Sequence, residues 1–254
     1  MTVSITGDLL EARADNSVFI KNMNTSDVLR LGAMYAADTI SVESDKGFLM
    51  STASSDIAES YINAGKTLTF KTNANTGIVG DADHAIRILN DRAVVNIAAE
   101  SAYIRGMGSL ALGIRNGTLV LGTIQTKGEF AAASEGSLTV GREEQKDGSG
   151  TVVREAVEGS VTAGGDVTLA ARDDLTLGGA AKAQNRTLSL ASTNASIIQT
   201  DKGAIAANTV QTVSGKSLLL ENADNQFSGI VVAGIETEAG EKPDIAGDVR
   251  IKDK

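Results

Sequence analysis

The chain has 254 residues, 42% of them hydrophobic but only 3% aromatic, with 27 glycines, one proline and no cysteine. A net charge of −9 and the absence of any basic run exclude a nucleic-acid or anionic-membrane surface, which demand clustered Lys and Arg. Glycines without a period of three exclude collagen, and the β-branched and leucine content excludes disorder.

The absence of cysteine fits an exported bacterial protein and a cytosolic one equally. Residues 1–20 carry Asp8, Glu11, Arg13 and Asp15, so no signal-peptide apolar region lies there. The longest apolar stretch, residues 230–235, is far too short to span a bilayer. The first strand pattern begins at Val3 and Ile5 and the last stops at Val249-Arg250-Ile251, neither with an evident cap. The expectation is therefore an internal slice of a longer exoprotein, whose exposed coil ends permit weak end-to-end self-association.

In chain order, one short signal recurs: apolar, a middle residue that is often Thr or Ser, apolar. It runs through Val18-Phe19-Ile20, Ile40-Ser41-Val42, Leu68-Thr69-Phe70, Val95-Asn96-Ile97, Leu119-Val120-Leu121 and Leu138-Thr139-Val140. It continues through Val167-Thr168-Leu169, Leu175-Thr176-Leu177, Leu188-Ser189-Leu190, Leu218-Leu219-Leu220 and Val249-Arg250-Ile251. Taking one start per turn at 18, 40, 68, 95, 119, 138, 167, 188, 218 and 249, the spacings range from 19 to 31 residues. A strand signal at so loose a period predicts a solenoid of stacked turns. Both apolar residues of a triplet then face inward and the middle one outward. Residues 27–37 are the best helical candidate, with Ser26 as a cap, but Gly32 weakens the helix and strand is expected there too.

Leucine-rich repeats, hexapeptide left-handed helices and calcium-binding nonapeptides each require a strict consensus that is absent. A right-handed parallel β-helix tolerates variable turns, because only its strands must stack. The fold class is therefore all-β, a right-handed parallel β-helix spanning 1–254 as a single segment. Two charged stretches interrupt the rhythm, 142–158 and 235–246, and are expected to protrude as loops or a hairpin.

From Gly159 onward the phrases sharpen. GSVTAGGDVTLAARDDLTLGGAAKAQNRTLSLASTNASIIQTDKGAIAANTVQ (159–211) and LLLENADNQFSGIVVAG (218–234), with Asn222, Asn225, Phe227 and Gly229, are followed by GDVRIKDK (247–254). These stretches resemble the repeat region of filamentous-haemagglutinin-like exoproteins exported by the two-partner route. The resemblance implies a right-handed β-helix and a bacterial cell-surface or released fibre. It implies an adhesin role, an outer-membrane transporter acting on the full-length chain, and a receptor or glycan on a host or bacterial surface as partner. It assigns Asn222, Asn225, Phe227 and Gly229 to structure, and it brings no catalytic residue and no cofactor. Its amino-terminal secretion domain has no counterpart here.

Two constellations suggest chemistry. Asp81-Ala82-Asp83-His84 holds the chain's single histidine and is a weak metal candidate through Asp81, Asp83 and His84. The alternative is a solvated turn. Acidic pairs, Asp173 with Asp174 and Glu143 with Glu144, would suit a polysaccharide-cleaving β-helix, the competing function together with a glycan-binding module. Neighbours on one strand point to opposite faces, so neither pair is expected to converge. No GxSxG pattern and no P-loop is present. The favoured expectation is a non-catalytic shaft or binding surface. Asn22, Asn24, Asn73, Asn75, Asn222 and Asn225 follow strands, either as stacked internal ladders or as ordinary turn residues. Phe227 is expected in the core or at a coil corner.

Overall fold

The computed structural model of the chain describes residues 2–6, 9–22, 27–51, 61–108, 117–234 and 247–254. Ser26, Asn24 and the 235–246 stretch lie outside them. Among the described residues every element is a β-strand. Residues 29–36, inside the candidate helix, form the strand Leu29–Ala36. Strands two or three to a turn pair in parallel with the turns before and after, which makes the fold a parallel β-helix solenoid.

One long ladder is traced by a single position carried from turn to turn. Leu29 pairs with Phe48, Phe48 with Val79, Val79 with Ala102 and Ala102 with Phe130. The column continues through Val167, Leu188, Val210 and Ile230. Successive members are separated by as few as 19 residues, Leu29 to Phe48, and as many as 37, Phe130 to Val167. The excess is looped out at corners, so the strands keep register while the turns vary. Eight strand-to-strand steps give a rod on the order of 40 Å long.

A second ladder stacks Val18, Ile40, Leu68, Val95 and Leu121. It divides at the strand Thr118–Thr126, whose first half pairs with Ser137–Val140 and whose second half pairs with Ser160–Ala163. From there a third ladder runs through Leu119, Leu138, Leu175, Ile197, Leu218 and Val249. The series of starts read from the sequence therefore changes ladders. Its first four members form one column, but Leu138 stacks on Leu175, and Val167 and Leu188 belong to the Leu29–Ile230 ladder. Every side of the coil carries the same apolar alternation, so the pattern marks strands without saying which side they occupy.

The interior is a stack of aliphatic layers. Leu68, Val95, Leu121, Leu138, Leu169, Leu177 and Leu188 are at most 1% exposed, and Phe48 and Phe70 meet with ring centroids 5.5 Å apart. Small polar residues fill inward positions where strands end. Ser192 and Ser214 are wholly buried, and their hydroxyls donate to Asp173 O (2.7 Å) and Ser217 O (2.9 Å), which satisfies them internally. Thr2–Thr6 pairs antiparallel with Leu9–Arg13, crossing the first turn against the run of the other strands. In the last turn Val231, Val232, Val249 and Ile251 are exposed.

The middle residues of the triplets differ. Thr168 is exposed, and Thr176 and Ser189 are half-buried, as outward positions require. Val120 and Thr139, direct register neighbours, are buried, and Thr139 Oγ1 donates to Gly141 O at 2.6 Å. Thr139 borders the root of the 142–158 hairpin.

A candidate groove beneath the hairpin

The charged 142–158 stretch is a hairpin. Arg142 bridges Val157, and Gln145–Lys146 pairs antiparallel with Val152–Arg154. Its tip is set by Asp147, whose Oδ1 accepts from Ser149 Oγ (2.5 Å), Ser149 N (2.9 Å) and Thr151 N (3.0 Å). These hydrogen bonds, the Ser149 hydroxyl foremost, hold the Asp147 carboxyl below its ordinary value. At the root, Gly141 has φ +68°, and a Cβ on Gly159 would stand 2.1 Å from Gly141 N. Only glycine lets the chain leave and re-enter the coil at one point.

The hairpin lies beside the third ladder and encloses with it a groove of about 400 Å³. The hairpin side supplies Arg142, Glu143, Glu144, Gln145 and Arg154. The coil supplies Asp174 and a row of hydroxyls, Thr118, Ser137, Thr139, Thr176 and Thr200. Glu143 and Glu144 precede the first hairpin strand, so strand alternation does not separate them and both line the groove. Asp174 joins them from the coil, while Asp173 lies outside the lining. Thus the acidic residues meet across two elements, not as sequential pairs.

Electrostatics within the groove are partly neutralised. Glu144 sits 2.9 Å from Lys146, and Arg154 reaches to 3.8 Å from Asp91. Arg142 donates from Nε (3.3 Å) and Nη2 (3.2 Å) to Glu155 O. Burial, and then the nearby Arg154 charge, lowers its guanidinium below the usual value. Asp174 Oδ1 accepts from Ser196 N at 3.1 Å, which fixes its carboxylate against the coil.

The Asp81–His84 segment is an Asx-type turn. Asp81 Oδ1 accepts from His84 N (2.7 Å), Asp83 N (2.9 Å) and His84 Nδ1 (3.0 Å). Desolvation acts to raise the Asp81 carboxyl, but these hydrogen bonds outweigh it and hold the pKa below the usual range. Asp81 Oδ1 is thus engaged within the turn. Among the described residues no group of three or more His, Asp or Glu side chains is placed to hold a metal ion.

The asparagines separate into both kinds. Asn73 Oδ1 accepts from Asn75 N, an ordinary turn, whereas Asn22 Nδ2 donates to Ser44 Oγ one turn on, at 3.1 Å. Asn225 is wholly buried. Its Oδ1 accepts from Ile205 N (3.0 Å) and Gln199 Nε2 (2.5 Å), and its Nδ2 donates to Gln199 Oε1 and Lys252 O, both 3.0 Å. Asn222 N donates to the same Gln199 Oε1, and Asn222 Nδ2 donates to Asp201 O at 2.7 Å. Gln199 ties the last turns together. Its signal was a polar residue at the inward end of Ile197-Ile198-Gln199, where the turn before carries Leu177.

Phe227 packs partly buried against the core, within the strand Gln226–Gly234 and in register with Ala207. At Gly229 nothing stands within 4 Å of where a Cβ would lie, and its φ is not left-handed. Gly229→Ala should therefore leave the thermal midpoint unchanged or raise it slightly. A fall of several degrees would mean that the glycine is needed where the structure leaves room for alanine.

One titrating pair links neighbouring turns, from Tyr103 in the strand Ser101–Met107 to Glu129. Tyr103 OH donates to Glu129 Oε2 at 2.6 Å. That bond, then burial and the charges of Glu129, Asp81 and Glu100, push the phenol up to about 12. The unfolded chain ionises this phenol near pH 10, so its contribution to stability is whole below that pH and is lost as pH rises from about 10 to 12. Ultraviolet titration should show one tyrosine ionising late, and Glu129→Gln should bring it back towards 10.

Comparison with protein-family models, with characterised proteins and with solved structures gives no match to this chain.

Proposed function

We propose that this chain is a non-catalytic, structural and adhesive segment of a bacterial surface or secreted exoprotein. It serves as a stiff shaft or binding surface of the filamentous-haemagglutinin-like kind. The observation that carries the reading is the unbroken column from Leu29 to Ile230, which converts a loosely periodic sequence into a rod on the order of 40 Å with continuous outer faces. The phrases at 159–211 and 218–234 add to it. The full-length chain would reach the surface through an outer-membrane transporter and meet a surface receptor or glycan there. Labelled protein tested on host and bacterial cells and on a broad glycan array should bind a restricted set of surfaces. Binding to none of them would remove the adhesive part of the reading.

A second reading is favoured by the gathering of Glu143, Glu144 and Asp174 in one groove, a polysaccharide-cleaving β-helix. Reducing-sugar release across neutral and acidic glycans, lost in Glu143→Gln, Glu144→Gln or Asp174→Asn, would replace the first reading with this one.

A further inference from the structure

We propose that the groove beneath the hairpin binds neutral oligosaccharides, an inference that rests on the binding-surface reading and names the ligand class and the site. Its volume of about 400 Å³ falls within the range of small-ligand sites. Its polar groups are of three complementary kinds. Glu143, Glu144 and Asp174 only accept hydrogen bonds, Arg142 and Arg154 only donate, and the hydroxyls of Thr118, Ser137, Thr176 and Thr200 do both. A sugar diol presents the matching set, since each of its hydroxyls donates once and accepts twice.

The floor is also periodic. Thr118 and Ser137, both half-buried, are direct register neighbours one strand apart, so equivalent hydroxyls recur at about 4.8 Å along the coil axis. That interval is close to the length of one pyranose unit in an extended chain. A linear oligosaccharide running along the axis therefore meets the same donor and acceptor pattern at successive residues.

Charge decides between neutral and acidic sugars. Three carboxylates line the groove against two guanidinium groups; Lys146 is already paired with Glu144 and Arg142 is already directed onto Glu155 O, so neither cation is left for an incoming anion. The chain as a whole carries −9. A polyuronate or sulfated chain would enter against this field, whereas a neutral one does not. No aromatic side chain lines the groove, so recognition is by hydrogen bonds, and losing one charged partner should be felt strongly.

Calorimetric titration of the whole chain with cellohexaose and mannohexaose, and with hexagalacturonate as the acidic comparison, tests this. At least one neutral hexaose should bind saturably, with little change between low and high salt. Asp174→Asn and Arg154→Gln should each weaken it by about tenfold or more, the loss expected for one charge-assisted hydrogen bond. Asp174→Asn keeps an oxygen for Ser196 N, and Arg154 lies on the hairpin, so circular dichroism should be unchanged in both. Thr168→Ser, on another side of the coil, should bind like the parent. Preferential, salt-sensitive binding of hexagalacturonate would overturn the proposal, as would neutral binding unaffected by both variants, or no neutral binding at all. If the groove variants keep the parent's pattern on cells and on the array, the groove fails while the surface reading stands. If the parent binds neither cells nor array, the surface reading fails by itself.

Discussion

Leu169→Ala is expected to destabilise the solenoid by about 2–5 kcal/mol, the range for emptying a filled core site. Leu169 is wholly buried and stacks directly on Ala132 in one turn and Leu190 in the next. Ala132 is already small, so the cavity would open beside a position with nothing to expand into it. Each turn touches only its neighbours, so the loss falls on the interfaces either side of this one turn. Leu190→Ala should cost a similar amount, because Leu190 is 1% exposed and faces Thr212 in the following turn. Thr168→Ser, one residue from Leu169 but on the outer face, should change stability by less than about 0.5 kcal/mol. Denaturant unfolding of the three variants checks this together. Equal sensitivity at 168 and 169 would reverse the assignment of inner and outer faces.

The second large effect is expected at Asn225. Asn225→Leu fits the volume but removes the acceptor for Ile205 N and Gln199 Nε2, and the donor to Gln199 Oε1 and Lys252 O. Each buried group left unpaired costs about 1–3 kcal/mol, so a loss of roughly 3–5 kcal/mol is expected, centred on the last turns. Asn225→Asp is the sharper control. It keeps the shape but places an acceptor against Gln199 Oε1 and Lys252 O, so it should be no milder. Hydrogen exchange at Ile205 N reports the change locally, since that N–H donates to Asn225 Oδ1. Protection at Ile205 that survives both substitutions would show that the network does not hold the turn.

Sequence alone carried the fold class, and the reason lies in period. Triplets such as Val167-Thr168-Leu169 and Leu188-Ser189-Leu190 recur too loosely for any strict repeat, and a solenoid is the architecture in which turns vary while strands stack. It also marked 142–158 as separate from the coil, because a charged, glycine-containing run cannot supply an inward face. At Asn222 and Asn225 it left internal ladder and ordinary turn as equal alternatives. Their partners come from Gln199, Ile205 and Lys252, up to 27 residues away, so no local pattern could choose.

Register was decided only by tertiary structure. Leu138 pairs with Leu175, not with Val167, because the corner after Val140 sends out the hairpin and the next turn begins on another side of the coil. Alternation has a period of two whichever side a strand occupies, so it fixes in and out but carries no label for the side. The groove is a product of the same geometry. Glu143, Glu144 and Asp174 are brought together because the hairpin, rooted on Gly141 and Gly159, lies beside the third ladder. That placement depends on where two distant segments fall around the coil, a quantity set by the summed lengths of the intervening corners and absent from any window of sequence.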